Sequence, residues 1–88
     1  MTRFLVGAPA GIAMVEVERL LPAACSDCGG TMIGRHDDPD DASVRWHVRV
    51  FGDALATVVW TPIDLHVESA DDAPIAVFAD RLGELLRD

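Results

Sequence analysis

From Ser43 to Phe51 apolar and polar residues alternate: Val44, Trp46, Val48 and Val50 against Arg45, His47 and Arg49. A period of two marks a β-strand with one face in a core and the other toward solvent. Gly52-Asp53 then reads as a two-residue hairpin, because glycine takes the positive φ that a primed turn demands. On that turn Phe51 faces Ala54, Val50 faces Leu55, Val48 faces Thr57 and Trp46 faces Val59, so Leu55, Thr57 and Val59 are expected in the core. The opposite face then holds Arg45, His47, Arg49 and Phe51 with Ala54, Ala56, Val58 and Trp60. The apolar parity continues past Pro62 to Ile63, Leu65 and Val67, with Asp64, His66 and Glu68 outward. A proline inside the run suggests an edge or a bend, so residues 54–68 read as one long bent strand or two short ones in sequence.

The flanks supply helices. Ile12, Ala13, Val17, Leu20 and Leu21 share one face of a helix beginning at Ala10 or Gly11, and Pro22 is expected to end it at Leu21. Thr2–Val6 reads as a short strand or an ordered arm. Residues 22–30 read as a turn-rich connector, Thr31–His36 as a first meander strand, and Asp37–Asp41 as a solvated loop. At the C-terminus Asp72 is an N-cap candidate and Pro74 sits in the first turn, where its missing N–H costs nothing. Ile75, Phe78, Leu82, Leu85 and Leu86 then line one face of a helix reaching about Arg87.

The expected fold is α+β: an N-terminal helix, a three-stranded antiparallel meander with or without an extra N-terminal strand, and a C-terminal amphipathic helix packed on the sheet. With 88 residues, half of them hydrophobic, the chain reads as one small acidic domain, residues 1–88. The element order resembles that of double-stranded-RNA-binding domains in topology alone. The final helix, Phe78-Ala79-Asp80-Arg81-Leu82-Gly83-Glu84, lacks the lysine cluster those domains set on phosphates.

The formal net charge is −8, and all seven basic residues are arginine. Without clustered cations the counterion-release term that drives nucleic-acid binding is missing, so nucleic acid is not an expected partner. No stretch is long enough to cross a membrane. Pro22-Ala23-Ala24-Cys25 is faintly like a lipoprotein cleavage site, but Glu16, Glu18 and Arg19 break the approach to it. The chain is therefore expected to be cytoplasmic, where paired cysteines are thiols or metal ligands more often than disulfides.

Cys25-Ser26-Asp27-Cys28-Gly29-Gly30 is the one motif with chemistry attached. It resembles half of a zinc ribbon, whose cysteine knuckle opens a β-hairpin; the resemblance implies zinc as cofactor at Cys25 and Cys28. The second cysteine pair of such ribbons is missing. His36 and His47 are the candidate completing ligands, with His66, a carboxylate from Asp37–Asp41 or a second subunit as alternatives. A thiol-redox pair is a weaker reading, because the cysteines follow a helix rather than cap its N-terminus. Two incidental cysteines in a turn are the plainest reading of the motif.

Arg45, His47, Arg49 and Trp60 form a second constellation. In the expected register Arg45 and Trp60 are cross-strand neighbours within cation–π reach, a small basic and aromatic face suited to an acidic peptide or another anion. The plainer alternative is that the first helix covers this face or that nearby carboxylates pair its arginines. No triad, calcium loop or phosphate loop is complete: Gly7-x-x-x-Gly11 lacks the following Lys and Ser or Thr, and Asp37–Asp41 lacks the turn glycine and terminal Glu. The chain thus reads as a non-enzymatic protein-binding or regulatory module of adaptor or inhibitor type. Small zinc protein and thiol-redox protein are the alternatives. Another protein is the expected partner, and a homodimer through an edge strand or the first helix is a further expectation.

Overall fold

A computed structural model, describing residues 1–87, places seven elements along the chain: β1 (Thr2–Leu5), α1 (Met14–Asp27), β2 (Thr31–Asp38), β3 (Ser43–Val50), β4 (Ala54–Thr61), β5 (Asp64–Ser69) and α2 (Asp72–Arg87). The strands form one antiparallel sheet in the order β1-β5-β4-β3-β2. Both helices lie on the same face of it, α1 over β2, β3 and β4, and α2 over β1, β4 and β5. The α+β class stands, but the sheet has five strands rather than three. Pro62 and Ile63 turn the chain back on itself, so β4 and β5 are paired neighbours and not one bent strand. Thr2–Leu5 completes the sheet beside β5, with Phe4 opposite Val67.

Helix α1 runs straight through Pro22. The expected stop at Leu21 fails although an interior proline loses one backbone hydrogen bond and crowds the carbonyl of Glu18, because burial on the opposite face of the helix outweighs that cost. The two turns around it bury Val17, Leu21, Ala24 and Cys25, spaced at one face of a helix. The real terminator is Gly29. It takes a left-handed φ of 65°, its N–H bonds Ser26 O at 3.1 Å, and the Gly30 N–H bonds Cys25 O at 2.8 Å. That pair of bonds is a Schellman stop, which consumes orphan carbonyls at the helix end.

The register between β3 and β4 differs from the expected one by a single residue. Val50 pairs with Ala54, Val48 with Ala56, Trp46 with Val58 and Val44 with Trp60. The loop holds three residues, Phe51, Gly52 and Asp53, with φ of 53° at Phe51 and 88° at Gly52. Its first two N–H groups find acceptors outside the hairpin, on Cys28 O at 2.8 Å and Gly29 O at 3.4 Å. A slip of one residue exchanges the faces of the whole return strand. Ala54, Ala56, Val58 and Trp60 therefore join Trp46 under the helices, while Leu55 turns outward and is 53% exposed. Asp64, His66 and Glu68 alternate with inward Leu65 and Val67, as expected, but Ile63, expected inward with them, lies in the β4–β5 turn and is 95% exposed.

Trp46 and Phe78 are the largest fully buried side chains, joined by Leu21, Ile75, Leu82 and the sheet valines. Each of the large α2 side chains contributes on the order of 1.5–3 kcal/mol of burial before entropy. Trp60 anchors the segment ahead of α1, donating its Nε1–H to Ile12 O at 2.8 Å. Arg35 ties α1 to the sheet through Glu18 at 2.5 Å and Asp37 at 2.7 Å. Arg87 closes the opposite end by donating to the Gly7 carbonyl. Among the described residues no helix is long and apolar enough to cross a membrane.

The α1 stop also sets a contact that can be tested. A Cβ on Gly30 would lie 1.9 Å from Arg49 O and 2.5 Å from Val50 Cα, backbone atoms that cannot step aside. Gly30→Ala should cost about 3 kcal/mol in urea unfolding and lower the melting midpoint by roughly 12–24 °C. Gly34→Ala, whose Cβ would meet nothing nearer than His47 Cδ2 at 3.8 Å, should fall within about 1 kcal/mol of wild type.

Candidate functional site

With both helices on one side, the other side of the sheet carries no layer of secondary structure. Its side chains follow from the pairing. Successive rows across the strands hold Arg49 and Leu55; His47, Thr57, Glu68 and Arg3; and His36, Arg45, Val59, His66 and Leu5. A bulge between Met32 and Gly34 adds Ile33 to this face. An extra residue on one strand shifts the alternation, which is why His36 looks outward while Arg35 points in toward α1.

Four large apolar side chains stand free on this side: Met1, 94% exposed, Leu5, 75%, Ile33, 50%, and Leu55, 53%. A shallow hollow of about 480 Å³ lies between Ile33, His47, Leu55 and Thr57, with Glu68 and Asp71 on its far wall. The third of these rows is packed lower. Val59 is only 2% exposed although it lies outside the main core, flanked by Arg45 and His66 on its two neighbouring strands. His66 is held from both sides, Nδ1 by Asp64 at 3.0 Å and Nε2 by Glu68 at 3.2 Å. His47 Nδ1 meets Thr57 Oγ1 at 3.2 Å.

The arginines divide into two groups. Arg19 pairs with Glu16, Arg35 with Glu18 and Asp37, Arg81 with Asp27 and Glu84, and Arg3 lies 3.7 Å from Glu68. Hydrogen bonding to these partners raises the pKa of Arg19, Arg35 and Arg81, and Glu16 and Asp37 are correspondingly lowered. Arg45 and Arg49 have no carboxylate within ion-pair distance among the described residues; Arg45 donates only to Ser43 Oγ at 2.7 Å. The acidic β2–β3 loop spends its carboxylates on its own backbone. Asp38 accepts the Asp40 N–H and Asp41 the Ser43 N–H, each at 3.0 Å, and the bonds from Ser43 lower the Asp41 pKa.

Of the four residues of the expected basic face, Arg45, His47 and Arg49 lie together on the open side of β3. Trp60 does not join them: the one-residue slip turns it under the helices, opposite Val44, and Arg45 faces Val59 instead. The Arg45–Trp60 cation–π pair is therefore absent. Leu55 and Ile33 were missed as face residues. The only sequence signal for Leu55 was the apolar character of both parities in β4.

The metal set is not brought together. Cys25 is on the last turn of α1 and Cys28 is its C-cap, both buried on the helix side of the sheet, whereas His36 and His47 are on the open side. Among the described residues no group of three or more His, Cys, Asp or Glu side chains is placed to hold a metal ion. Sequence reasoning read Cys-x-x-Cys-Gly-Gly as a knuckle; its spacing equally suits two core positions one helical turn apart, followed by the glycines of a helix stop.

Burial makes these thiols poor nucleophiles. It pushes Cys25 up from 9.0 to about 11, with Cys28 adding a smaller push, and it raises Cys28, helped by Asp27 and opposed by Arg81. A group whose folded pKa lies above its unfolded value stabilises the fold fully below the unfolded pKa and loses that contribution as pH rises through the folded one. Wild-type stability should therefore fall more steeply between pH 9 and 11 than that of Cys25→Ala, measured by urea midpoints at each pH. Parallel curves would show that Cys25 titrates alike in both states.

No protein-family model, curated protein or solved structure matches the chain, so the reading of the open face rests on its own chemistry.

Proposed function

We propose that the chain is a non-enzymatic protein-binding module that engages its partner with the open face of the sheet. One observation carries this reading: the face combines exposed Leu5, Ile33 and Leu55 with Arg45 and Arg49, neither of which has a carboxylate within ion-pair distance among the described residues, Asp41 acting on Arg45 only from farther off. Solvated sheet faces in small proteins are normally polar. A hydrophobic patch edged by charge is the usual anatomy of a recognition surface, with apolar anchors supplying affinity and charge supplying selectivity. On the helical side Arg19 and Arg81 are paired with neighbouring acids and Arg87 is bonded to the Gly7 carbonyl.

The test compares two exposed apolar sites on opposite sides. Leu55 lies on the open face and Val77 on the outside of α2, 56% exposed. Leu55→Asp and Val77→Asp should each leave stability within about 0.5 kcal/mol of wild type. In affinity capture from lysate of the source cells, a protein recovered with wild type and with Val77→Asp should be lost with Leu55→Asp. Equal recovery by both variants would remove the open face from the interaction.

A further inference from the structure

We infer that the partner segment is acidic and extended, running along β3 with two carboxylates four residues apart and an apolar side chain between them. The inference rests on the open face being the recognition surface and names the chemistry it selects. Arg45 and Arg49 project from the same side of β3 and are four residues apart, about 13 Å at the rise of a strand. Neither arginine lines the hollow, but His47, midway between them on β3, does, with Ile33, Leu55 and Thr57. An extended segment also advances about 13 Å in four residues, and every second side chain points to the same side. Carboxylates at its first and fifth positions then meet the two guanidiniums, and an apolar residue at the third drops between Ile33 and Leu55. An α-helix carrying acids four residues apart spans only about 6 Å and reaches one arginine at a time.

The charge map fixes the track. Asp71, on the far wall of the hollow, has no ion-pair partner among the described residues and repels an acidic segment toward β3, where His36 and His47 add no negative charge. Glu68 itself is occupied by His66 and Arg3. Guanidinium forks bind carboxylates in two-pronged fashion, and arginine is the only cation this chain uses. Nucleic acid would present anions as well, but the net charge of −8 opposes a polyphosphate far more than a segment with a few carboxylates.

The probe is a fluorescent peptide of Glu-Glu-Leu-Leu repeats, followed by anisotropy against the full chain at low salt. Each side of this peptide, when extended, carries a carboxylate every fourth residue with a leucine between. It should bind saturably and weaken as salt is raised. Its glutamine counterpart, and a peptide of equal composition alternating Glu and Leu, should both bind less tightly. Arg49→Glu, at an exposed position, should weaken binding several-fold, and the double variant with Arg45→Glu by about tenfold or more, with melting curves confirming the fold. Equal binding of the glutamine peptide, or indifference to Arg49→Glu, overturns the inference. So does a single-stranded oligonucleotide binding where the peptide does not. Concentration-dependent dimerisation abolished by Leu55→Asp, with no peptide bound, also overturns it but leaves the face a protein-binding surface occupied by a second copy. Capture of a partner by Leu55→Asp at the wild-type level would remove the face altogether.

Discussion

The stop at the end of α1 and the turn between β3 and β4 are one joint, and the rest of the molecule is arranged by it. Gly29 in the left-handed region ends the helix and leaves the Cys28 and Gly29 carbonyls pointing at the hairpin. The Phe51 and Gly52 N–H groups are satisfied there instead of within their own turn. Gly30 lies so close to the Arg49–Val50 backbone that no side chain fits between. The joint accommodates a three-residue loop, and that loop decides which side of β4 is buried. Small Ala54 and Ala56 pass beneath α1, and the bulkier Leu55 is left outside.

That choice was hidden in the sequence for a physical reason. Strand β4 is central and apolar on both sides, with Leu55 and Val59 on one parity and Ala56, Val58 and Trp60 on the other, so hydrophobic pattern alone cannot select a register. β3 was legible because its outward residues are charged, and β5 because Asp64, His66 and Glu68 alternate with Leu65 and Val67. α2 was legible because Asp72, Pro74 and the Ile75–Leu86 stripe agree with one another. The first helix misled through local chemistry: Pro22 looked like a stop, and Cys25-x-x-Cys28-Gly29-Gly30 looked like a metal knuckle. Tertiary burial of Leu21, Ala24 and Cys25 outweighs one lost hydrogen bond. Of the candidate site, Arg45, His47 and Arg49 were readable from their alternation, whereas Leu55 and the removal of Trp60 depended on the slip.

The electrostatics follow the same division. On the helical side and at the chain ends, arginines are neutralised or hydrogen-bonded where they stand, which stitches α1 to β2 through Arg35 and to α2 through Arg81. Such exposed pairs contribute little each, so their value is in holding two helices at one spacing rather than in bulk stability. On the open side Arg45 and Arg49 keep their charge available. Edge strand β2, whose outer backbone is unpaired, carries a bulge and a run of charged residues at Arg35–Asp38, features that discourage indiscriminate strand addition.

The register of the β3–β4 hairpin is the hinge of this account, and cross-strand nuclear Overhauser effects report it directly. Backbone contacts should connect Val48 with Ala56 and Trp46 with Val58, with the Trp60 ring near Ile12. Contacts joining Val48 to Thr57 and Trp46 to Val59 would mean a two-residue turn, bury Leu55, and take away the face on which the proposed recognition depends.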